Sequence, residues 1–184
     1  MVTDPCREIN RTIILIRHGE TEWNKEKIFR GRKDVPLNKC GQAQARDTAQ
    51  ALTDFKVDAV YSSPLSRAMM TAREIAARHD LPVFPRDSFI DIDFGVWEGL
   101  SLEEVQQKYP HDYRSWAETP HLWKSPGGET LLEVRERAWK ELQQVIREMR
   151  GNTLVVVTHR VVLKMLLMAV LGMDDNQFWI LQQG

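Results

Sequence analysis

Two short runs dominate the hydrophobic pattern of the chain: Thr12 to Ile16, TIILI, and Thr153 to Thr158, TLVVVT. Both are rich in β-branched residues and stay apolar at successive positions. A strand with one wet face alternates, so unbroken apolarity predicts strands covered on both faces, as in a parallel sheet flanked by helices. A third strand is expected at Val57 to Tyr61 and a weaker one at LPVF, 81–84. Between them, residues 38–53 carry Ala43, Ala49 and Leu52 among polar residues at helical spacing. Ser63 reads as an N-cap with Pro64 at the first helical position, opening a helix through about His79. Ser101 with Glu104 and Thr130 with Glu133 form capping boxes, and the second opens a long helix to about Arg150. An apolar helix is expected from about Val161 to Leu171, and residues 1–11, polar with Pro5, read as a loose arm. Strand and helix alternate throughout. That order predicts a three-layer α/β/α fold with a central, mostly parallel sheet. No repeat, low-complexity tract or linker divides the chain, so a single domain is expected over 1–184.

Composition changes little in this picture but excludes several functions. A chain of 184 residues buries about 70% of its unfolded surface and needs no disulfide or metal to hold it together. The 25 basic and 26 acidic side chains leave a net charge of -1, which offers no bulk attraction to nucleic acid or to an anionic membrane. Any anion site must be local. Cys6 and Cys40 lack the density of a secreted scaffold and the spacing of a zinc or redox motif. The N-terminus has no apolar signal core, and no run reaches the roughly 18 apolar residues of a membrane span, so a cytoplasmic protein is expected.

The candidate chemistry sits where the strands end. TIILIRHG places Arg17 and His18 after the first strong strand, and TLVVVTHR places His159 after the last. In open α/β sheets ligands bind outside the carboxyl ends of the strands, so both histidines are candidates for one crevice. The strand in AVYSSP leads to a helix bearing Arg67, whose N-terminus offers free backbone N–H groups to an anion. Two imidazoles and two guanidiniums suit a dianion, because the planar arginine fork binds phosphate oxygens in pairs. Phosphate is the expected guest. No H-x-H or H-E-x-x-H spacing offers a metal site, and no cofactor is implied.

These residues also fall in a set of motifs that resembles the histidine phosphatase superfamily, the phosphoglycerate mutase-like fold. The match runs through RHGETEWN at 17–24, DVPLNKCGQAQA at 34–45, SSPLSRAMMTA at 62–72, DIDFGVWEG at 91–99, PGGET at 126–130 and VVVTHR at 155–160. It is most similar to the small bacterial branch that includes α-ribazole phosphatases and broad-specificity phosphatases. The resemblance implies a metal-independent phosphomonoesterase with a phosphohistidine intermediate. Position by position it implies His18 as nucleophile, Arg17, Arg67 and His159 as phosphate ligands, Asn24 in support and Asp91 as general acid. A neutral imidazole can attack phosphorus in line if its other nitrogen donates to a carbonyl. The three equatorial oxygens would then meet Arg17, Arg67 and a protonated His159.

Several positions depart from the pattern of that branch. Asp91 stands where most members carry Glu, so the acid is one methylene shorter, with Asp93 and Glu98 as nearby substitutes. Arg160 replaces the usual glycine after the second histidine, and Arg30 stands where the branch often has glutamine. Two further guanidiniums point to a substrate with a second anionic group, a carboxylate or a second phosphate. Relatives usually continue into one more strand beyond the position of Gly184, and its loss would leave a sheet edge open. The segment 94–128, with Trp97, Trp116 and Trp123, is expected to cover the pocket. His79, His111 and His121 read as structural or exposed, and Met165 and Met168 as helix core. A mutase that returns the phosphoryl group to a second hydroxyl, and a non-catalytic phosphate- or protein-binding member, are the rival functions. The physiological substrate and the oligomeric state stay open.

Overall fold

The computed structural model of the chain describes residues 11–181. Most of the expected arm therefore lies outside the described residues, as do 182–184. In chain order the elements are β1 (Thr12–Arg17), α1 (Glu22–Lys25), α2 (Lys39–Ala51), β2 (Ala59–Ser62), α3 (Ser66–Arg78), β3 (Val83–Pro85), α4 (Leu102–Lys108), α5 (Pro110–Glu118), α6 (Leu131–Glu148), β4 (Thr153–Thr158) and α7 (Arg160–Leu171). All four strands run parallel in the order β1-β4-β2-β3. The last strand is inserted between the first two, with Val155 in register with both Ile14 and Val60.

Side chains of β4 explain the three layers. Val155 and Val157 point to one face and pack with Ala49 of α2 and with Ala68, Ala72 and Ile75 of α3. Leu154 and Val156 point to the other, against Val134, Ala138 and Leu142 of α6 and Val162 and Met165 of α7. All four are fully buried, so truncating Leu154 to alanine is of the class that costs about 2–5 kcal/mol. Met165 and Met168 are core, as expected.

The capping boxes form as read. Thr130 Oγ1 accepts from the Glu133 amide at 3.1 Å while the Glu133 carboxylate accepts from the Thr130 amide at 2.7 Å, and Ser101 with Glu104 does the same for α4. β1 is covered on both faces as expected, with Ile13 and Leu15 in one core and Ile14 and Ile16 in the other, but it lies at an edge: it pairs with β4, and among the described residues nothing pairs with its outer side, so Ile13 to Ile16 are half-buried. Its unbroken apolarity reflects helices over both faces, which pattern reports, and not a neighbour on both sides, which it does not. The helix bearing Arg67 starts at Ser66 with Leu65 as its N-cap, so Pro64 is not its first residue. Ser63 has turned to another partner.

Candidate active site

The strand order sets the site. His18 follows β1 and His159 follows β4, and Arg17 and Thr158 are in register, so the two histidines leave the sheet side by side. The His18 amide extends the ladder to Thr158 O at 3.1 Å, and the imidazole centroids lie 5.1 Å apart. Ser63 follows β2 on the other flank of β4, its amide donating to Val157 O at 2.9 Å. The turn after His18 is tight against α2. A β-carbon on Gly19 would run into the carbonyl of Gly41, and one on Gly41 into the backbone of Glu20, which accounts for both glycines.

His18 is buried, and its Nδ1 lies 2.6 Å from its neighbour's carbonyl, Gly19 O. The carbonyl can only accept, so Nδ1 carries the proton and Nε2 carries the lone pair. That Nε2 is buried with no hydrogen-bond partner among the described residues. Burial, with Arg67 second, holds the His18 pKa well below 6.5. His159 is fully buried; its Nε2 lies 2.7 Å from Ser63 Oγ and its Nδ1 3.6 Å from Asp91 Oδ2. Burial, then Arg67, His18, Arg30 and Arg137, also holds its pKa well below 6.5. Burial first, and then the surrounding cations, therefore oppose a second proton on the His159 ring.

Arg67 is completely buried and donates to Lys33 O and Gly31 O, each at 2.8 Å, and to Asp91 Oδ2 at 3.3 Å. Among the described residues its Nε has no hydrogen-bond partner, and neither do the buried Nε atoms of Arg17 and Arg30. Asp91 Oδ1 accepts from the Ile92 amide at 2.9 Å. Arg67 and Arg30 favour its ionised form, but burial outweighs them and raises its pKa above 3.8. Burial, together with Arg67, Arg17 and Arg160, pushes Arg30 down to about 10 despite the pull of Asp91. Asn24 is held by its part in a capping box on α1, its Oδ1 accepting from the Thr21 amide and hydroxyl, both at 2.9 Å.

Two cavities open on this cluster. One of about 440 Å³ is bordered by Arg17, His18 and Asn24 together with Gln44 and Thr48 of α2. The other, about 240 Å³, is bordered by Arg30, Asp91 and Arg160 and by the aromatic rings of Phe94, Trp116, Phe178 and Trp179. Every predicted site residue thus borders a cavity or, as with Arg67 and His159, lies buried against one that does. Asp93 and Glu98 are not brought in. Asp93 accepts from the Gly95 amide at 2.8 Å and Glu98 from the Arg32 amide at 2.7 Å, so both hold the loop and leave Asp91 as the carboxylate facing the histidines.

Residues 13–184 match the histidine phosphatase superfamily, branch 1. The chain belongs to that superfamily. It is 42% identical over 167 residues to phosphoserine phosphatase 1 of Hydrogenobacter thermophilus, covering 91% of this chain and 79% of that protein. A 2,3-bisphosphoglycerate-dependent phosphoglycerate mutase of Brucella anthropi is 31% identical over 182 residues, covering 92% and 85%. Among solved structures, Bacillus stearothermophilus YhfR superposes with a TM-score of 0.90 at 31% identity, covering 94% of this chain and 85% of that one. This histidine phosphatase is a hydrolase of small phosphorylated substrates. Among its described residues no helix is long and apolar enough to cross a membrane.

Sequence reasoning missed two organising residues. Ser63, which reads as a helix cap, bonds His159; its place directly after a strand, like that of the histidines, is the signal the sequence carries. Arg137 of α6 donates to Ser88 O at 2.7 Å, Ile90 O at 2.8 Å and Asp91 O at 3.0 Å, and its Nε pairs with Glu129 at 2.9 Å. It anchors the loop that carries Asp91, and nothing in the local pattern of α6 announces this.

Proposed function

We propose that the chain hydrolyses small phosphomonoesters by transferring the phosphoryl group to His18 Nε2 and then to water. The observation that carries this reading is the buried, unpartnered Nε2 of an imidazole whose Nδ1 is committed to Gly19 O. Such a ring is neutral and aimed, the two properties an in-line nucleophile needs. The unpartnered Nε atoms of Arg17 and Arg67 and the Nδ1 of His159 are donors for the phosphoryl oxygens, with Asn24 supporting the loop. Asp91, with its raised pKa, protonates the departing alkoxide and later takes a proton from the attacking water.

Arg30 and Arg160 favour a leaving group with its own negative charge. Arg17, Arg30, Arg67 and Arg160 interact mutually through their charges, and Asp91 is the acidic residue on the wall of the smaller cavity. A phosphate dianion leaves that group of cations still positive, and a carboxylate on the same substrate offsets part of the remainder. The 42% identical relative is named for phosphoserine, which carries both anions. The segment 94–128 contributes Phe94 and Trp116 to this cavity and acts as its cover.

Rapid quench with labelled phosphoserine should trap an acid-labile, base-stable phosphoryl adduct on the wild type, and His18→Ala should have no turnover while keeping its circular dichroism spectrum. Turnover by the alanine variant near the wild-type rate rules the mechanism out. The mutase reading draws on the Brucella relative; transfer of phosphate between the hydroxyls of phosphoglycerate, dependent on 2,3-bisphosphoglycerate and without phosphate release, would establish it instead.

A further inference from the structure

Ser63 is completely buried, and its hydroxyl oxygen has two neighbours: His159 Nε2 at 2.7 Å and the Leu65 amide, which donates to it at 3.3 Å. The hydroxyl of the preceding residue is not a third, since Ser62 Oγ donates to the Ser63 carbonyl at 2.8 Å. A serine hydroxyl has one proton to give and two lone pairs to offer. Leu65 occupies one lone pair. The proton needs an acceptor, and among the described residues His159 Nε2 is the acceptor within reach. Were Nε2 protonated instead, the Ser63 hydroxyl would accept twice and its own proton would be buried without a partner, the arrangement folded proteins avoid.

We infer that Ser63 is a positioning residue that donates to His159 Nε2 and so places the single ring proton of His159 on Nδ1. That Nδ1 is buried without a hydrogen bond among the described residues, 3.6 Å from Asp91 Oδ2. Beside Asp91, and on a ring whose centroid is 5.1 Å from that of His18, this N–H can meet a phosphoryl oxygen without His159 having to carry a charge. A second proton on the ring is opposed by burial and by the groups that surround it: Arg67 of α3, His18 after β1, Arg30 on its loop and Arg137 of α6, while the Asp91 carboxyl lies on the Nδ1 side at 3.6 Å. The order of strands makes this possible, because β4 lies between β1 and β2 and the residues that follow the three strands form a row of His18, His159 and Ser63.

The tautomer follows from the Ser63 contact alone; its use in turnover rests on the proposed phosphatase mechanism. The experiment is a long-range proton–nitrogen correlation spectrum of the full chain labelled with ¹⁵N-histidine, near neutral pH, with His159 assigned through a His159→Gln variant. Wild type should show His159 protonated at Nδ1, with Nε2 shifted as an acceptor. Ser63→Ala should lose that signature and lower kcat on phosphoserine by about 10–100-fold, the usual effect of removing the outer partner of a functional histidine, with KM nearly unchanged. Ser63→Thr keeps the hydroxyl and should keep both the signature and most of the rate. A wild-type His159 protonated at Nε2 overturns the inference even if Ser63→Ala fails to fold, and so does a folded Ser63→Ala that keeps the Nδ1 proton. A wild type with no phosphatase activity but the Nδ1 tautomer would sink the proposed mechanism and leave the Ser63 assignment standing.

Discussion

At the scale of single residues, Asp91 is under two opposed influences: Arg67 at 3.3 Å favours the carboxylate, and burial favours the acid. Burial prevails, which suits a proton donor. If Asp91 gives its proton to the leaving group, its removal should hurt poor leaving groups far more than good ones. Asp91→Asn is expected to lose about 10²–10⁴-fold in kcat/KM on an alkyl phosphate and much less on p-nitrophenyl phosphate. Equal losses on the two would assign Asp91 to binding. The pH profile follows from the same shifts. His18 and His159 are held below 6.5, so both stay neutral on the acid side of that value and activity should persist there. Asp91 is raised above 3.8, so the alkaline limb should come from loss of its proton and be absent in Asp91→Asn. Stability should follow the opposite course below pH 6.5. The unfolded chain binds protons at His18 and His159 that the folded chain refuses, so the contribution of these neutral rings is present above 6.5 and is lost as pH falls toward their folded values.

At the scale of elements, α6 does more than cover the sheet. Its inner face buries Leu131, Val134, Ala138, Leu142 and Val145, while Arg137 reaches sideways to three carbonyls of the 88–91 loop. The loop is tied from the sheet as well, where Thr158 Oγ1 donates to Phe89 O at 2.8 Å. Arg137→Met leaves those carbonyls without this donor and removes one partner of the Glu129 carboxylate, which keeps Arg32 at 2.9 Å and the Asp93 amide at 3.1 Å, and should cost about 2–4 kcal/mol in urea unfolding. It should also imitate Asp91→Asn in kind, losing more activity on alkyl phosphates than on p-nitrophenyl phosphate. A variant that loses stability with no change in leaving-group dependence would restrict Arg137 to a structural part. Both helix-opening boxes were legible in the sequence because capping is local chemistry, decided within four residues. The start of α3 was not, because Ser63 had a competing partner 96 positions away in His159.

At the scale of the whole molecule, charge is concentrated where the strands end, although the chain as a whole carries a net charge of only -1. Arg17, Arg30, Arg67 and Arg160 lie close enough to influence one another's charge, and in the proposed reaction they would supply the positive charge that a metal supplies in other phosphoryl-transfer sites. Phosphatase activity is therefore expected to survive EDTA, and vanadate to inhibit competitively; activity lost to the chelator and restored by magnesium would contradict this. What the sequence by itself determined is what local rules encode. The apolar runs named β1 and β4, the spacing of apolar positions named the helices, and the motifs singled out His18, His159, Arg17, Arg67, Asn24 and Asp91. Periodicity reports which faces of an element are covered, but not which strand lies beside it. Only the tertiary structure could therefore decide that β4 enters between β1 and β2, that β1 pairs on one side, and that Ser63 stands in line with the histidines. The same limit applies to charge, since the ionisation of a buried group depends on cations brought from distant parts of the chain. That is why the motif alone does not report that burial and Arg67 disfavour a charged His159, or that Asp93 and Glu98 bond backbone amides while Asp91 lies 3.6 Å from His159.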